Sequence, residues 1–289
     1  MLTTNLKEKD IYISRNNGAA VRKIKKKTAI VTTLNKHTSQ LYFLPIFAKN
    51  MFSTQDQAVG NEEVDKSVAE IPGVYFIIEN ASFVVACLYK NYQILDSEEH
   101  VDFLRRKNMN FPDDHRPDIV HQALLAIMDS PLCLSGRVSA VFIRTDEGIL
   151  IKVDPQGRIP ETFGKFCNMM SELLQKSSIK SKGNEGRLFE LIQNPVTQHL
   201  PVNSLKIGLS FNSPKAVKIN DFVAANCDNH KSLVFVVDAM AHGKVDAMAH
   251  GKVDADYIDD FISVSGYPPN ADTCLYRICD ALESYWKIF

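Results

Sequence analysis

The stretch SLVFVVDAMAHGKVDAMAHGKVDADY, Ser232–Tyr257, decides the reading of this chain. Its first six residues lack the alternation of a half-buried strand. They read as a strand covered on both faces, the pattern of a parallel sheet. Asp238 follows directly and opens a loop with an unusual form. The eight-residue unit VDAMAHGK runs from Val237 to Lys244 and repeats without a mismatch from Val245 to Lys252. Solenoids need at least three units of longer period, so a repeat fold is excluded. The unit reads instead as one functional loop overlaid by a tandem duplication.

Working outward, the same rhythm recurs. LKIGLSF (Leu205–Phe211) is a strand, followed by a helix near residues 216–226. ISVSGYPP is a strand end with a Gly-Pro turn, and NADTCLYRICDALESYW is a final helix. Upstream, GVYFII (Gly73–Ile78) is a buried strand and YQILD a short second one. SEEHVDFLRRK is a helix capped by Ser97, with acids in its first turn. RPDIVHQALLAIMDSP is helical, with Ile119, Leu124, Ala126 and Ile127 inward and Pro131 closing it. Val138–Arg144 and Ile149–Val153 form a hairpin around Asp-Glu-Gly. ETFGKFCNMMSELLQK carries Phe163, Phe166, Met170, Leu173 and Leu174 at helical spacing, which predicts core packing. SKGNEG reads as a flexible loop. Alternating strands and helices predict an α/β fold: a mostly parallel sheet with helices on both faces. Such sheets bind ligands in the loops beyond their strands' carboxyl ends.

The chain has 289 residues, 45% hydrophobic and 23% charged, which is ordinary globular usage with length enough for a sizeable core. Its net charge is −1, so a polyanion would need a local basic patch rather than a global field. Residues 1–70 differ, with 11 Lys and Arg against 7 Asp and Glu, and include RKIKKK (Arg22–Lys27) and one apolar patch, LYFLPIFA. They read as a largely disordered extension, whose basic run is either a nuclear-targeting signal or a solvated stretch. The domain is therefore placed at residues 71–289, with the duplicated loop at 237–252. No run of about 18 apolar residues predicts a membrane span, and the first ten residues are too charged for a signal peptide. The six cysteines form no C-x-x-C pair, so they read as reduced thiols of an intracellular protein, with no metal site expected.

Five segments carry a resemblance: RPDIVHQALLAIMDSPL, RIPETFGKFCNMMSELL, NPVTQHLP, LVFVVDAMAHGKV and ISVSGYP. In this order they resemble the ribosome-biogenesis methyltransferases that modify a pseudouridine at N1 in small-subunit (18S) ribosomal RNA. The resemblance covers about Ile71 to Phe289. It implies a SPOUT fold with a C-terminal trefoil knot, a homodimer, a nucleolar location among pre-ribosomal assembly factors, and S-adenosyl-L-methionine as cofactor. Three C-terminal loops would wrap that cofactor. Leu209 and Ser210 would form the first, Asp238 and Gly243 the second, and Val264, Ser265, Gly266, Tyr267, Pro268 and Pro269 the third. The family usually has one GAMAHGK-like unit, with glycine where this chain has Asp238. Asp238 would either crowd the ligand or face its positive sulfonium. The first copy is expected to line the pocket because it follows the strand directly, although the second precedes the ordinary continuation VDADYIDDF.

The resemblance also assigns the RNA face. Arg116 would contact RNA while Asp118 steadies it by a charge-assisted pair; the plain alternative is that Asp118 helps cap the helix. Arg158 and Lys165 would add positive charge, and Glu161 stands where the family has an arginine. Asp118 is also the candidate general base, with a bound water as its alternative. His121 reads as a packed or surface residue, His199 as a loop residue, and His242 and His250 belong to the repeat. The chain thus reads as an rRNA pseudouridine-N1 methyltransferase; the alternative is a non-catalytic assembly factor that binds pre-rRNA.

Overall fold

The computed structural model describes residues 72–88, 90–107, 115–180, 186–210, 213–227, 231–239, 255–267 and 269–288. The extension, most of SKGNEG, both histidines of the repeat, Gly243 and Pro268 lie outside the described residues.

An eight-stranded sheet organises the chain. Its strands are β1 (Val74–Ala81), β4 (Val138–Thr145), β5 (Leu150–Val153), β6 (Ser178–Lys180), β7 (Arg187–Ile192), β8 (Ser204–Leu209), β9 (Ser232–Asp238) and β10 (Asp260–Ile262). They lie in the order β10-β8-β9-β1-β4-β5-β7-β6. The first five of that order pair in parallel. The last three continue it antiparallel. The continuous apolar runs of Val74–Ile78 and Leu233–Val237 are explained by this position: β1 and β9 are central strands covered on both faces.

Among the described residues six α-helices accompany the sheet: α1 (Val101–Arg106), α2 (Pro117–Met128), α3 (Pro131–Leu134), α4 (Phe163–Lys176), α5 (Ile219–Asn226) and α6 (Ala271–Trp286). The two faces are covered unequally. Phe76, Ile78, Val141, Phe235 and Val237 pack in one cluster with residues of α2 to α6. Ile77, Ala140, Phe142, Val234 and Val236 face the other way and meet Val196, Leu200, Tyr257 and Ile258. Those four belong to or flank short 3-10 turns, so among the described residues helices on both faces are not found. The parallel α/β core is as expected; the second face is covered by turns. The trefoil knot depends on the course of residues 240–254, which lie outside the described residues.

Other local expectations shift for identifiable reasons. YQILD does not join the main sheet. β3 (Asn91–Ile94) pairs antiparallel with β2 (Val85–Leu88) in a separate hairpin, which packs with α1 around Leu95, Phe103 and Leu104. Ser97 is not the cap of a helix; its hydroxyl donates to the His115 carbonyl. Asp96 takes that work, accepting from the Glu98 and Glu99 amides at 2.8 Å each, and helix begins only at Val101. Pro131 opens α3 rather than closing α2, since proline suits a first helical turn. Ser130 caps it by accepting from the Cys133 amide at 3.1 Å. Among the described residues no helix is long and apolar enough to cross a membrane.

Gly208 shows how tightly the β8–β10 edge is built. A Cβ there would lie 2.5 Å from Phe261 Cε1 and 3.1 Å from Ile258 Cδ1. β10 is only three residues long, and Phe261 packs directly over Gly208. Gly208→Val is expected to push Phe261 off β8 at a cost of about 1–3 kcal/mol, seen as a drop of several degrees in thermal unfolding. An unchanged melting temperature would show that the ring swings aside freely.

Candidate functional site

The topology places side by side the strand ends that precede the three predicted loops. β10, β8 and β9 are neighbours and parallel, so their carboxyl ends share one edge of the sheet. Leu209, the last residue of β8, and Ser210 beyond it are half-buried, and the Ser210 amide donates to the Ile262 carbonyl at 3.0 Å. The chain then turns beside β10. Ser213 Oγ donates to the Phe261 carbonyl at 2.8 Å, and Ala216 bridges in parallel to Ser263. After β10, Ser263 Oγ donates to the Ser265 carbonyl and the Tyr267 amide to Ser265 Oγ, folding the third loop on itself. Arg277 of α6 donates to the Val264 carbonyl at 3.0 Å, a link the sequence did not signal. Gly266 is exposed and a Cβ on it would meet nothing within 4 Å, so packing within the fold does not require glycine there. Tyr267 is 83% exposed, and Pro269 is half-buried.

Asp238 ends β9 on the face that Val234 and Val236 share. Its carboxylate accepts from Asn80 Nδ2 at 3.2 Å. Asn80 has φ +57, a left-handed backbone that asparagine tolerates better than most residues. Asp238 is thus tied to β1. Beside it Glu79, the register partner of Asp238, is 2% exposed. Glu79 pairs with Arg144 at 3.7 Å and accepts from the Tyr257 hydroxyl at 2.7 Å. Neither Asn80 nor Glu79 was visible from spacing, because their partners lie 158 and 178 residues away.

The second constellation starts at α2. Arg116 precedes the helix, and Asp118 stands in its first turn. The guanidinium grips the carboxylate as a fork, Nε to Oδ1 at 2.8 Å and Nη2 to Oδ2 at 2.6 Å. Arg116, the N-cap residue, forms no side-chain cap bond at this helix end. The bond to Asp118 outweighs the cost of partial burial and holds the guanidinium above its ordinary pKa. Both carboxylate oxygens are engaged by Arg116, a geometry suited to orienting an arginine.

Arg158, Glu161 and Lys165 are all exposed, the last in the first turn of α4. The segment carrying them is tied to α2 by His121. This ring is 1% exposed, stacks on Phe166 with centroids 4.7 Å apart, and donates from Nε2 to the Pro160 carbonyl at 2.7 Å. His121 is therefore a packed residue joining the two basic segments, not a catalytic one. A cavity of about 410 Å³ lies at the junction, lined by Asp96, Glu98, Glu99, Asp118 and Phe163. Arg116 sits beside this acidic rim, where Asp118, Glu98 and Asp96 favour its charged form. His199 donates to the Gln193 carbonyl at 2.8 Å and leans on Phe142.

All six cysteines are free. Burial pushes the Cys133 and Cys274 thiols up to about 11, and those of Cys167 and Cys279 up to about 12. At neutral pH these four are protonated and poor nucleophiles. Among the described residues no cluster of His, Cys, Asp or Glu could hold a metal ion.

Comparison with known proteins agrees with this arrangement. The family described as EMG1/NEP1 methyltransferase matches residues 76–283. The ribosomal RNA small subunit methyltransferase nep-1 of Caenorhabditis elegans is 37% identical over 228 residues, covering 79% of this chain and 91% of its own. The human ribosomal RNA small subunit methyltransferase NEP1 is 37% identical over 212 residues, covering 73% and 81%. The crystal structure of Archaeoglobus fulgidus Nep1 bound to S-adenosylhomocysteine superposes with a TM-score of 0.58 at 18% identity, covering 74% of this chain and 99% of that one. That likeness shows the shared fold, and the sequence matches show the kinship: the chain belongs to the EMG1/NEP1 methyltransferase family.

Proposed function

We propose that this chain methylates small-subunit ribosomal RNA from S-adenosyl-L-methionine, at N1 of a pseudouridine in a structured loop. The observation that carries the reading is the family match across residues 76–283, on a fold whose β8, β9 and β10 ends converge. Three adjacent strand ends offering backbone groups and one carboxylate suit a ligand with an adenine, a ribose and a sulfonium. Leu209, Ser210, Asp238, Gly243 and residues 264–269 would hold it. When bound, it supplies an electrophilic methyl group. Arg116, steadied by Asp118, binds the RNA backbone or a base edge, and Arg158 and Lys165 add charge on the same side. Glu161 opposes them. The target base is unstacked so that its N1 lies in line with the methyl carbon, and its proton leaves to water. With both oxygens engaged by Arg116, Asp118 acts as a positioning group.

The chain acts as a homodimer among pre-ribosomal assembly factors in the nucleolus, and residues 1–70 are an extension outside the catalytic domain. The second reading, an assembly factor that binds pre-rRNA without catalysis, is favoured by one feature, the duplicated loop. Calorimetric titration with S-adenosylmethionine separates the two, followed by methyl transfer to a hairpin bearing pseudouridine or uridine. Saturable binding and transfer to the pseudouridine hairpin alone are expected, since in uridine N1 is already bonded to the sugar. RNA binding without cofactor binding would establish the assembly-factor reading.

A further inference from the structure

Residues Glu79 and Asn80, at the carboxyl end of β1, hold the chain on both sides of the β9–β10 connection. On the entering side, the Ala239 amide donates to the Glu79 carbonyl at 2.8 Å, one residue beyond β9. There too Asn80 Nδ2 donates to Asp238 Oδ1 at 3.2 Å. On the returning side, the Tyr257 hydroxyl donates to Glu79 Oε1 at 2.7 Å. The other carboxylate oxygen faces Arg144 of β4 at 3.7 Å. Glu79 is 2% exposed, and a carboxylate that deeply placed persists only when it is paired. Tyr257 has a second anchor in its ring, which packs with Ile258 against Val234 and Val236. The next residues are stapled as well: Asp259 accepts from Lys206 Nζ at 3.0 Å, and Lys215 pairs with Asp260.

We infer that Glu79 and Tyr257 form a latch that sets the distance between the two ends of this connection, and so position the cofactor-binding strand ends. The latch rests on the cofactor reading proposed above. Both ends are fastened to one residue of a central strand, so the separation of the ends is set by Glu79 rather than by the length of the segment between them.

Tyr257→Phe tests this because it removes one hydroxyl and keeps the packed ring. It is expected to raise the Kd for S-adenosylmethionine about tenfold in calorimetry, the scale of a lost hydrogen bond to a buried charge. Affinity for an rRNA hairpin is expected to stay within about twofold, since Arg116 and α2 are untouched. Glu79→Gln keeps an acceptor for the Tyr257 hydroxyl but gives up the charge that Arg144 faces, and is expected to lose cofactor affinity by less than Tyr257→Phe, about threefold. Combined with Tyr257→Phe, it should add little to the loss. Cofactor affinity unchanged in Tyr257→Phe overturns the latch, as does a parallel loss of cofactor and RNA affinity, which marks general destabilisation. If the wild-type chain itself binds no S-adenosylmethionine, the cofactor reading falls and the latch with it.

Discussion

Arg116→Ala is expected to weaken binding of a small-subunit rRNA hairpin by about 10- to 100-fold, the range for losing a charge-assisted contact in a partly desolvated site. Loss of a single phosphate contact would account for the lower end and would reduce the salt dependence of binding by about one ion. The upper end comes from what is left behind. Asp118 now gives both oxygens to Arg116, and it lines a cavity with Asp96, Glu98 and Glu99. Without the guanidinium, that rim meets RNA as uncompensated negative charge. Arg116→Lys should fall between the two, because an ammonium keeps the charge but not the planar fork. Arg158→Ala removes an exposed side chain that forms no ion pair among the described residues, and is expected to cost less, within about tenfold. Fluorescence anisotropy at several salt concentrations measures all three. Cofactor affinity should be unchanged throughout. Equal RNA binding by wild type and Arg116→Ala would remove this residue from the RNA face.

The parts of this molecule that were legible in its sequence are those where one local pattern has one structural outcome. Val74–Ile78 and Leu233–Val237 read as buried strands because central parallel strands bury both faces, and the pattern needs no partner to be recognised. The Arg116–Asp118 fork was legible for a similar reason: two residues apart at a helix entrance, the groups can hardly avoid each other. What failed depended on competition or distance. Asp96 and Ser97 are both capping residues, and the His115 carbonyl captured the serine hydroxyl, leaving the turn to Asp96. Helices were expected on both faces because parallel strands need cover on both; among the described residues, turns at Val196 and Tyr257 cover the second face. His121 carried no sign of its partner, because the Pro160 carbonyl lies 39 residues on. The Glu79 latch was least legible of all. A glutamate in the run VYFIIENA looks like the end of a strand, and only the meeting of β1, β4 and residue 257 shows why it is buried.

Gly243→Trp is expected to abolish S-adenosylmethionine binding, with a loss of about 100-fold or more, while Gly251→Trp stays within a few-fold of wild type. The two glycines occupy equivalent places in identical units, so any difference between them measures position alone. Gly243 lies four residues beyond Ala239, whose amide is fixed to β1 at 2.8 Å by a backbone bond that prolongs the sheet. Gly251 lies six residues before Tyr257, whose tie to β1 is a side-chain hydroxyl. The entering tether is both shorter and stiffer. It restricts Gly243 to within about 14 Å of the β9 end at full extension, against about 21 Å from Tyr257 for Gly251. The first copy should therefore occupy the cofactor site and the second take up the added length; the reverse result would hand the site to the second. A third variant supplies the control. Excising either copy of VDAMAHGK yields the same protein, and shortens the 15 residues at 240–254 to 7. Loop-closure entropy then favours the ordered connection by about 0.7 kcal/mol, or threefold in affinity. A gain of that size would mean that the duplication burdens the site only through chain entropy. A gain of several hundredfold would mean that the extra copy competes for the pocket, and the intact chain would then belong to pre-rRNA binding rather than catalysis.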